Sequence, residues 1–337
     1  MSYIKYNLQF EKLCELIDLG DIVGEPRAIT GGLLHRMYAI ETSKGKYAVK
    51  ALNPQIMIRP VAMKHYIQSE EIVSVAVNII PALPARRFKD IFMQEVDKQF
   101  YLVFDWVEGK SFKANAINKA HCEKIGSILA DIHMIDFSNL DIANEWTDNG
   151  QVIDWKYYLQ KGQDENSKWV KLLTENIHNI YNWNNEANRA SVELSSDMVI
   201  SHRDLDSKNV MWNKDNPIII DWESAGYINP YQDLVETAIY WAEDGSGNID
   251  KERFLAFISE YKKKKGTLNA NWRTVLLNGF SGKLGWLEYS LKRSLWIDCT
   301  DEDEQRMGTE QSIETINAII NYAEMLPQLE KWLKDEI

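Results

Sequence analysis

The stretch Val199 to Glu223, VISHRDLDSKNVMWNKDNPIIIDWE, sets short apolar runs against a dense group of charged and amide side chains. Val199-Ile200 enters as a strand, His202 to Asn209 is a polar loop, and Val210-Met211-Trp212 is a second short strand. Asn213 to Pro217 turns, and Ile218 to Ile220 runs apolar into Asp221. Asp204 and Asn209 share the loop and Asp221 ends the next strand, so a hairpin brings all three together. Taken singly, each reads as a solvated turn aspartate or an asparagine bonding its own backbone. As a set between apolar strands they point to chemistry.

The order His-Arg-Asp, then Asn, then Asp after a strand resembles the catalytic signature of protein kinases. Phosphoryl transfer makes little covalent demand on a protein, but it needs magnesium across the phosphates and a group that orients the attacking hydroxyl. Magnesium is a hard cation that prefers oxygen and keeps several waters, so one carboxylate and one amide oxygen suffice from the chain. This assigns Asn209 and Asp221 to the metal and leaves Asp204 to accept or orient the hydroxyl proton.

His202-Arg203-Asp204, Asn209 and Asp221-Trp222-Glu223, with Pro230 to Leu234 behind them, carry a narrower resemblance to the aminoglycoside phosphotransferase and choline kinase-like group of small-molecule kinases. Most of that group has a small residue where this chain has Arg203, the residue found in protein kinases. The resemblance implies an α+β, bilobal, protein kinase-like fold with a five-stranded antiparallel sheet and a helix in the first lobe and a mainly α-helical second lobe. It also implies ATP or GTP with Mg2+ as cofactors, a hydroxyl of a small molecule as acceptor, and an Asp-x-Glu pair in which Glu223 orients loop groups or touches metal.

Composition sets the outer limits. The 337 residues suffice for two domains or one bilobal one, and 45% hydrophobic with 26% charged residues is ordinary for a soluble globular chain. Thirty-eight basic against 50 acidic residues leave a net charge of −12, which disfavours a nucleic-acid partner and suits a cationic substrate. The longest apolar-rich run, Ile72 to Ala85, is broken by Asn78, Pro81 and Pro84 and is too short to span a bilayer, so no membrane partner is expected. Cys14, Cys122 and Cys299 form no CxxC pair, which argues against a disulfide framework or zinc site and fits a reducing cytoplasm. A monomer and a homodimer are both compatible with the sequence.

Upstream, Leu8 to Leu19 reads as a helix, and Ala28 to Thr30, Met37 to Thr42 and Lys46 to Leu52 read as strands around Gly31-Gly32 and a turn at Ser43 to Gly45. Paired glycines mark ordinary hairpins as readily as phosphate loops. Tyr47-Ala48-Val49-Lys50, however, resembles the kinase strand whose lysine reaches the α- and β-phosphates, which places Gly31, Gly32 and Lys50 at the nucleotide. A helix over Ala62 to Asn78 supplies the carboxylate for that lysine; the match of Tyr66 to Glu70 with relatives selects Glu70, with Glu71 as the alternative. Arg86 to Val96 and Gln99 to Phe104 complete the five strands. Phe104 to Gly109 resembles the interlobe connector, which implies base binding by the Asp105 carbonyl and the Val107 N–H, with Ala48 above and Met211 below.

From Lys119 the pattern is helical: His121 to Ile135, with His133 structural, then Trp155 to Tyr158 and Trp169 to Trp183, with Asn182 to Asn188 as loop or helix end. Pro230 to Trp241 is a helix whose Asp233 braces the catalytic loop in relatives. Phe254 to Lys265, Val275 to Trp296 and Gln311 to Leu333 follow, their aromatics reading as core more readily than as an ammonium cage. Glu243 and Asp244 sit where a carboxylate opposes the helix dipole, which suggests that they bind amines together with some of Asp298 to Glu304. The domain division expected is residues 1–104 for nucleotide, 105–109 as hinge, and 110–337 for the catalytic loop and substrate. A protein kinase is the first rival, but the chain has no APE-like element after Asp221 and carries Asp-Trp-Glu in place of Asp-Phe-Gly. The second is a non-catalytic nucleotide-binding regulator, which would have no reason to keep a base. The acceptor stays open among aminoglycosides, where the role is antibiotic resistance, and amino alcohols or other metabolites.

Overall fold

The computed structural model describes residues 5–29, 35–59, 61–144, 152–299 and 301–335. By backbone proximity the chain divides into two compact units, one of residues 1–113, 135–143 and 202–226, the other of residues 114–134, 144–201 and 227–337.

The first unit is built on an antiparallel sheet. After helix α1 (Phe10–Leu16) come β1 (Arg27–Ile29), β2 (Arg36–Thr42) and β3 (Gly45–Ala51), then α2 (Pro54–Met57), α3 (Ala62–Ala76), β4 (Gln94–Val96) and β5 (Gln99–Asp105). The strand order is β1-β2-β3-β5-β4, so β3 is central and pairs Ala48 with Phe104 and Lys50 with Leu102. Alternation along the strands sorts the side chains. Val49, Ala51, Tyr101 and Val103 face α1, where they pack on Phe10, Leu13 and Cys14. Ala48, Leu102 and Phe104 belong to the opposite face with Ala62 and Tyr66 of α3. Lys50, two residues from Ala48, therefore lies on the α3 side.

The expected strand from Arg86 reduces to β4. Lys89 and Asp90 both take left-handed backbone (φ 51° and 65°), and the Phe88 N–H bonds the Ile91 carbonyl at 2.9 Å, so the chain turns tightly before it can extend. Preceding it, residues 81–83 run beside the hairpin that ends at Ile219, with Leu83 N–H donating to Ile219 O at 2.9 Å and Ile219 N–H to Pro81 O at 2.8 Å. Strand β6 (Val199–Ser201) leads into the loop from His202 to Asn209, the hairpin β7 (Val210–Asn213) and β8 (Asn216–Ile219) follows it, and β9 (Gly226–Ile228) leads out.

The second unit is helical: α4 (Lys119–Ile132), α5 (Trp155–Asp164), α6 (Val170–Leu194), α7 (Pro230–Ala242), α8 (Lys251–Lys265), α9 (Trp272–Asn278), α10 (Phe280–Ser294) and α11 (Glu302–Asp335). Asn118 and His121 form a reciprocal cap on α4. Gly126 lets α4 cross close over α8, since a β-carbon there would stand 2.3 Å from the Phe257 carbonyl oxygen. Buried His133 bonds Tyr261 Oη and Asp233 Oδ2, each at 2.8 Å, tying α4, α8 and α7 together.

Two helix boundaries differ from the sequence reading. The asparagines from Asn182 lie inside α6, where Asn184 Oδ1 accepts the buried Trp155 indole N–H at 3.0 Å; a tertiary partner satisfies an amide that would otherwise compete with the helix. The expected helix from Val275 is split at Gly279, where a β-carbon would meet Tyr322 Oη at 2.3 Å. Among the described residues no helix is long and apolar enough to cross a membrane.

Candidate active site

The loop from His202 to Asn209 is held by its own histidine. The His202 Nδ1 accepts the Asp204 N–H at 3.2 Å and its Nε2–H donates to the Ile220 carbonyl at 3.0 Å, so a wholly buried neutral ring ties the loop to the end of the hairpin. That ring also packs on Trp222, centroids 4.7 Å apart. Arg203 between them takes left-handed backbone at φ 65°, a conformation that costs a residue with a β-carbon, and its guanidinium lies over Gly226.

Asp204 and Asn209 are bonded directly. The Asn209 amide Nδ2 donates to the Asp204 carbonyl at 2.8 Å and to its Oδ2 at 2.9 Å. Lys208 Nζ also stands by Oδ2, at 3.4 Å. Both side-chain donors to the carboxylate converge on Oδ2, so among the described residues Oδ1 receives no hydrogen bond and is the oxygen left for a substrate proton. Burial raises the Asp204 pKa against the opposing pull of the Lys208 charge and the Asn209 hydrogen bond.

Asp221 follows β8 in left-handed backbone (φ 61°, ψ 62°), and the Ile220 N–H bonds the Asn209 carbonyl at 2.9 Å, which sets the two candidate metal ligands on adjoining strand ends. Lys50 Nζ reaches Asp221 Oδ1 at 2.6 Å and Glu223 Oε2 at 2.7 Å. Burial favours the neutral amine, but the two carboxylates outweigh it and raise the Lys50 pKa. For Asp221, burial pushes the carboxyl up and Lys50 brings it below its usual value; for Glu223, burial and the Asp221 charge prevail over Lys50 and leave it raised.

The expected Lys50–Glu70 pair is not formed. Glu70 lies on α3 with 5% exposure, and its Oε2 accepts the Ala85 N–H at 2.7 Å. Burial, opposed by that hydrogen bond, raises it from the usual 4.5 to about 7. The lysine is held instead by Asp221 and by Glu223, two residues further on. Sequence spacing had placed Glu223 beside the chemistry without revealing this partner. Buried His35, just before β2, and Tyr66 of α3 complete the surroundings of Glu223 and were missed: His35 belongs to no motif, and Tyr66 entered only as the start of the stretch that selects Glu70; His35 Nε2 is 3.6 Å from Glu223 Oε2.

At the connector, Asp105 ends β5 and Ala48 pairs with Phe104 beside it. The Lys110 and Trp212 backbones exchange hydrogen bonds of 3.2 and 2.9 Å, which brings the connector against β7 and its Met211. Gly109 is required there, because a β-carbon would stand 2.7 Å from the Trp212 carbonyl oxygen. Among the described residues the Val107 N–H donates to no backbone carbonyl. Gly31 and Gly32 lie outside the described residues.

In the helical unit the candidate amine-binding acids are structurally engaged. Glu243 caps the C-terminus of α7. Asp244 Oδ1 accepts the Ser246 and Asn248 N–H groups at 2.8 and 3.2 Å, which folds the following Gly-rich turn and lowers its pKa. Asp301 Oδ1 accepts the Glu304 N–H at 2.9 Å and starts α11, nine residues before the helix expected from Gln311. Asp303 pairs with Arg306 at 2.8 Å. The acids near residue 300 therefore include a helix cap and a first-turn ion pair.

An aspartate with an amide partner in one loop, a second aspartate at the end of the next strand and a lysine bound to it match the arrangement that kinase-type phosphoryl transfer requires. Residues 25–266 match the family model described as the phosphotransferase enzyme family (APH), and the chain belongs to that family. No curated protein matches the sequence. Among solved structures the chain is similar to spectinomycin phosphotransferase APH(9)-Ia in complex with ADP and spectinomycin, at 12% identity and TM-score 0.67, covering 93% of this chain and 98% of that one. It is also similar to choline kinase from Cryptosporidium parvum Iowa II (13%, TM-score 0.58, 97% and 98% covered) and Plasmodium vivax ethanolamine kinase (15%, 0.58, 88% and 83%). These likenesses establish the protein kinase-like fold, and the family makes the chain a small-molecule phosphotransferase.

Proposed function

We propose that the chain transfers the γ-phosphate of ATP or GTP to a hydroxyl of a small, amine-bearing molecule. The observation that carries this reading is the bonding within one compact unit of Asp204 to Asn209 and of Lys50 to Asp221. Asp204 Oδ1 accepts the acceptor hydroxyl proton, while Asn209 and Lys208 on Oδ2 keep the carboxylate oriented. Lys50 supplies positive charge for the α- and β-phosphates. The connector offers the Val107 N–H and the Asp105 carbonyl to the base, between Ala48 and Met211. In this reading residues 105–109 are the hinge between a nucleotide lobe, 1–104, and a catalytic and substrate lobe, 110–337.

Magnesium fits the donor set. Asn209 spends its amide nitrogen on Asp204, and Lys50 takes one oxygen of Asp221, so an amide oxygen and a carboxylate oxygen are left, both hard donors. Magnesium keeps several waters and is held largely by substrate phosphates, so these two donors suffice from the chain. When bound, the ion neutralises charge on the transferring phosphate.

The excess of acid over base, 50 against 38 residues, supports a cationic acceptor, with Glu243 and Asp244 as candidate contacts. The test is magnesium-dependent release of ADP or GDP over a panel of aminoglycosides, amino alcohols and uncharged sugars, with Asp204→Ala as blank. Turnover with an amine-bearing alcohol that vanishes in the variant supports the reading; turnover confined to uncharged sugars rejects the amine, and equal release by the variant rejects the base.

A further inference from the structure

Glu223 poses a problem that Lys50 alone does not solve. Lys50 Nζ holds two carboxylates at 2.6 and 2.7 Å, and bound phosphates compete for the same ammonium. When the phosphates win, Glu223 is left as a charge with 22% side-chain exposure, and stranding such a group costs free energy unless another donor reaches it.

Two donors stand ready. The Asn53 N–H donates to His35 Nδ1 at 2.9 Å, so the proton of the neutral imidazole is on Nε2. Burial, assisted by the Lys50 charge, holds the His35 pKa down at about 3, which keeps the ring neutral. Its Nε2–H donates to Tyr66 Oη at 2.5 Å and stands 3.6 Å from Glu223 Oε2, just beyond hydrogen-bond length. Tyr66 Oη accepts from His35 and therefore has its own proton to give. Burial first, and the Glu223 charge next, raise the Tyr66 pKa, so the hydroxyl stays protonated. Helix α3 sets Tyr66 and Glu70 four residues apart on one face, and with Glu70 committed to Ala85 the helix turns a neutral hydroxyl to this site.

We propose that His35 and Tyr66 are positioning residues for phosphoryl transfer, a neutral donor pair that takes over Glu223 when nucleotide phosphates draw Lys50 away from it. This rests on the phosphotransferase reading above. Without the pair, Glu223 holds Lys50 against the phosphates, so nucleotide affinity falls while the chemical step at saturating nucleotide is largely kept.

The experiment measures Mg-ATP and Mg-GTP binding by calorimetry, together with KM, kcat and melting temperature, for wild type, Tyr66→Phe, His35→Gln and His35→Leu. Tyr66→Phe is expected to weaken nucleotide binding and raise KM about tenfold, the loss associated with a hydrogen bond to a charged group. His35→Gln, which keeps an N–H, is expected to retain more affinity than His35→Leu. Adding Glu223→Gln to Tyr66→Phe is expected to recover most of the binding, because no charge is then stranded; a purely structural role would show no such coupling. Wild-type affinity in Tyr66→Phe, or a loss that Glu223→Gln leaves unchanged, overturns the proposal while the phosphotransferase reading stands. Failure of the wild type to bind either nucleotide overturns both.

Discussion

Asp204 carries the proposed proton transfer on one carboxylate oxygen, and its neighbours decide when that oxygen is charged. Asp204→Asn keeps the loop's shape and removes the base, so turnover is expected to fall by about 10² to 10⁴ while calorimetry finds nucleotide affinity little changed. Because burial raises its pKa and the base must be ionised, kcat/KM is expected to fall as pH drops through that raised value. Glu70 gives an opposite signature in stability. Its folded pKa is about 7 against an ordinary 4.5, so between those values the folded chain binds more protons than the unfolded one and stability falls as pH rises. The loss is on the order of 3 kcal/mol across the window. Glu70→Gln, which still accepts from Ala85, is expected to flatten this slope and to melt higher than wild type at pH 8; a melting curve with the wild-type pH dependence would contradict it.

At the scale of elements, the chain was most legible where a motif stays within one hairpin. Asp204, Asn209 and Asp221 are close because a loop and a two-residue turn bring them together, with Lys214 taking the left-handed backbone of that turn (φ 55°). The sheet followed from alternation, and β3 delivers Lys50 to the α3 side as the Tyr-Ala-Val-Lys pattern implies. What could not be read depends on tertiary partners. Which carboxylate meets Lys50 is decided by the path of residues 81–85, whose Ala85 N–H claims Glu70. The asparagines of α6 and the division at Gly279 likewise depend on Trp155 and Tyr322 from distant helices. Close crossings make their own prediction. Gly126→Ala places a methyl against the Phe257 backbone and is expected to destabilise the α4–α8 pair by about 1–3 kcal/mol, seen as a lowered melting temperature. An unchanged melting temperature would contradict the crossing.

For the whole molecule, family membership fixes the class of reaction and net charge bears on its substrate. At −12 the chain attracts cations over distances longer than a contact, and salt screens that attraction within about 8 Å at physiological ionic strength. The KM for an amine-bearing acceptor is therefore expected to rise as salt is raised, with kcat steadier; a KM indifferent to salt would point to an uncharged acceptor. The central claim, that Asp204 directs the γ-phosphate onto an alcohol, is tested most directly by following a labelled γ-phosphate. With an accepted substrate and magnesium, the label is expected on the acceptor as a stable phosphate ester in the wild type and to be absent from it in Asp204→Ala. Label appearing only as free phosphate, or reaching the acceptor at the same rate in both proteins, would contradict the account.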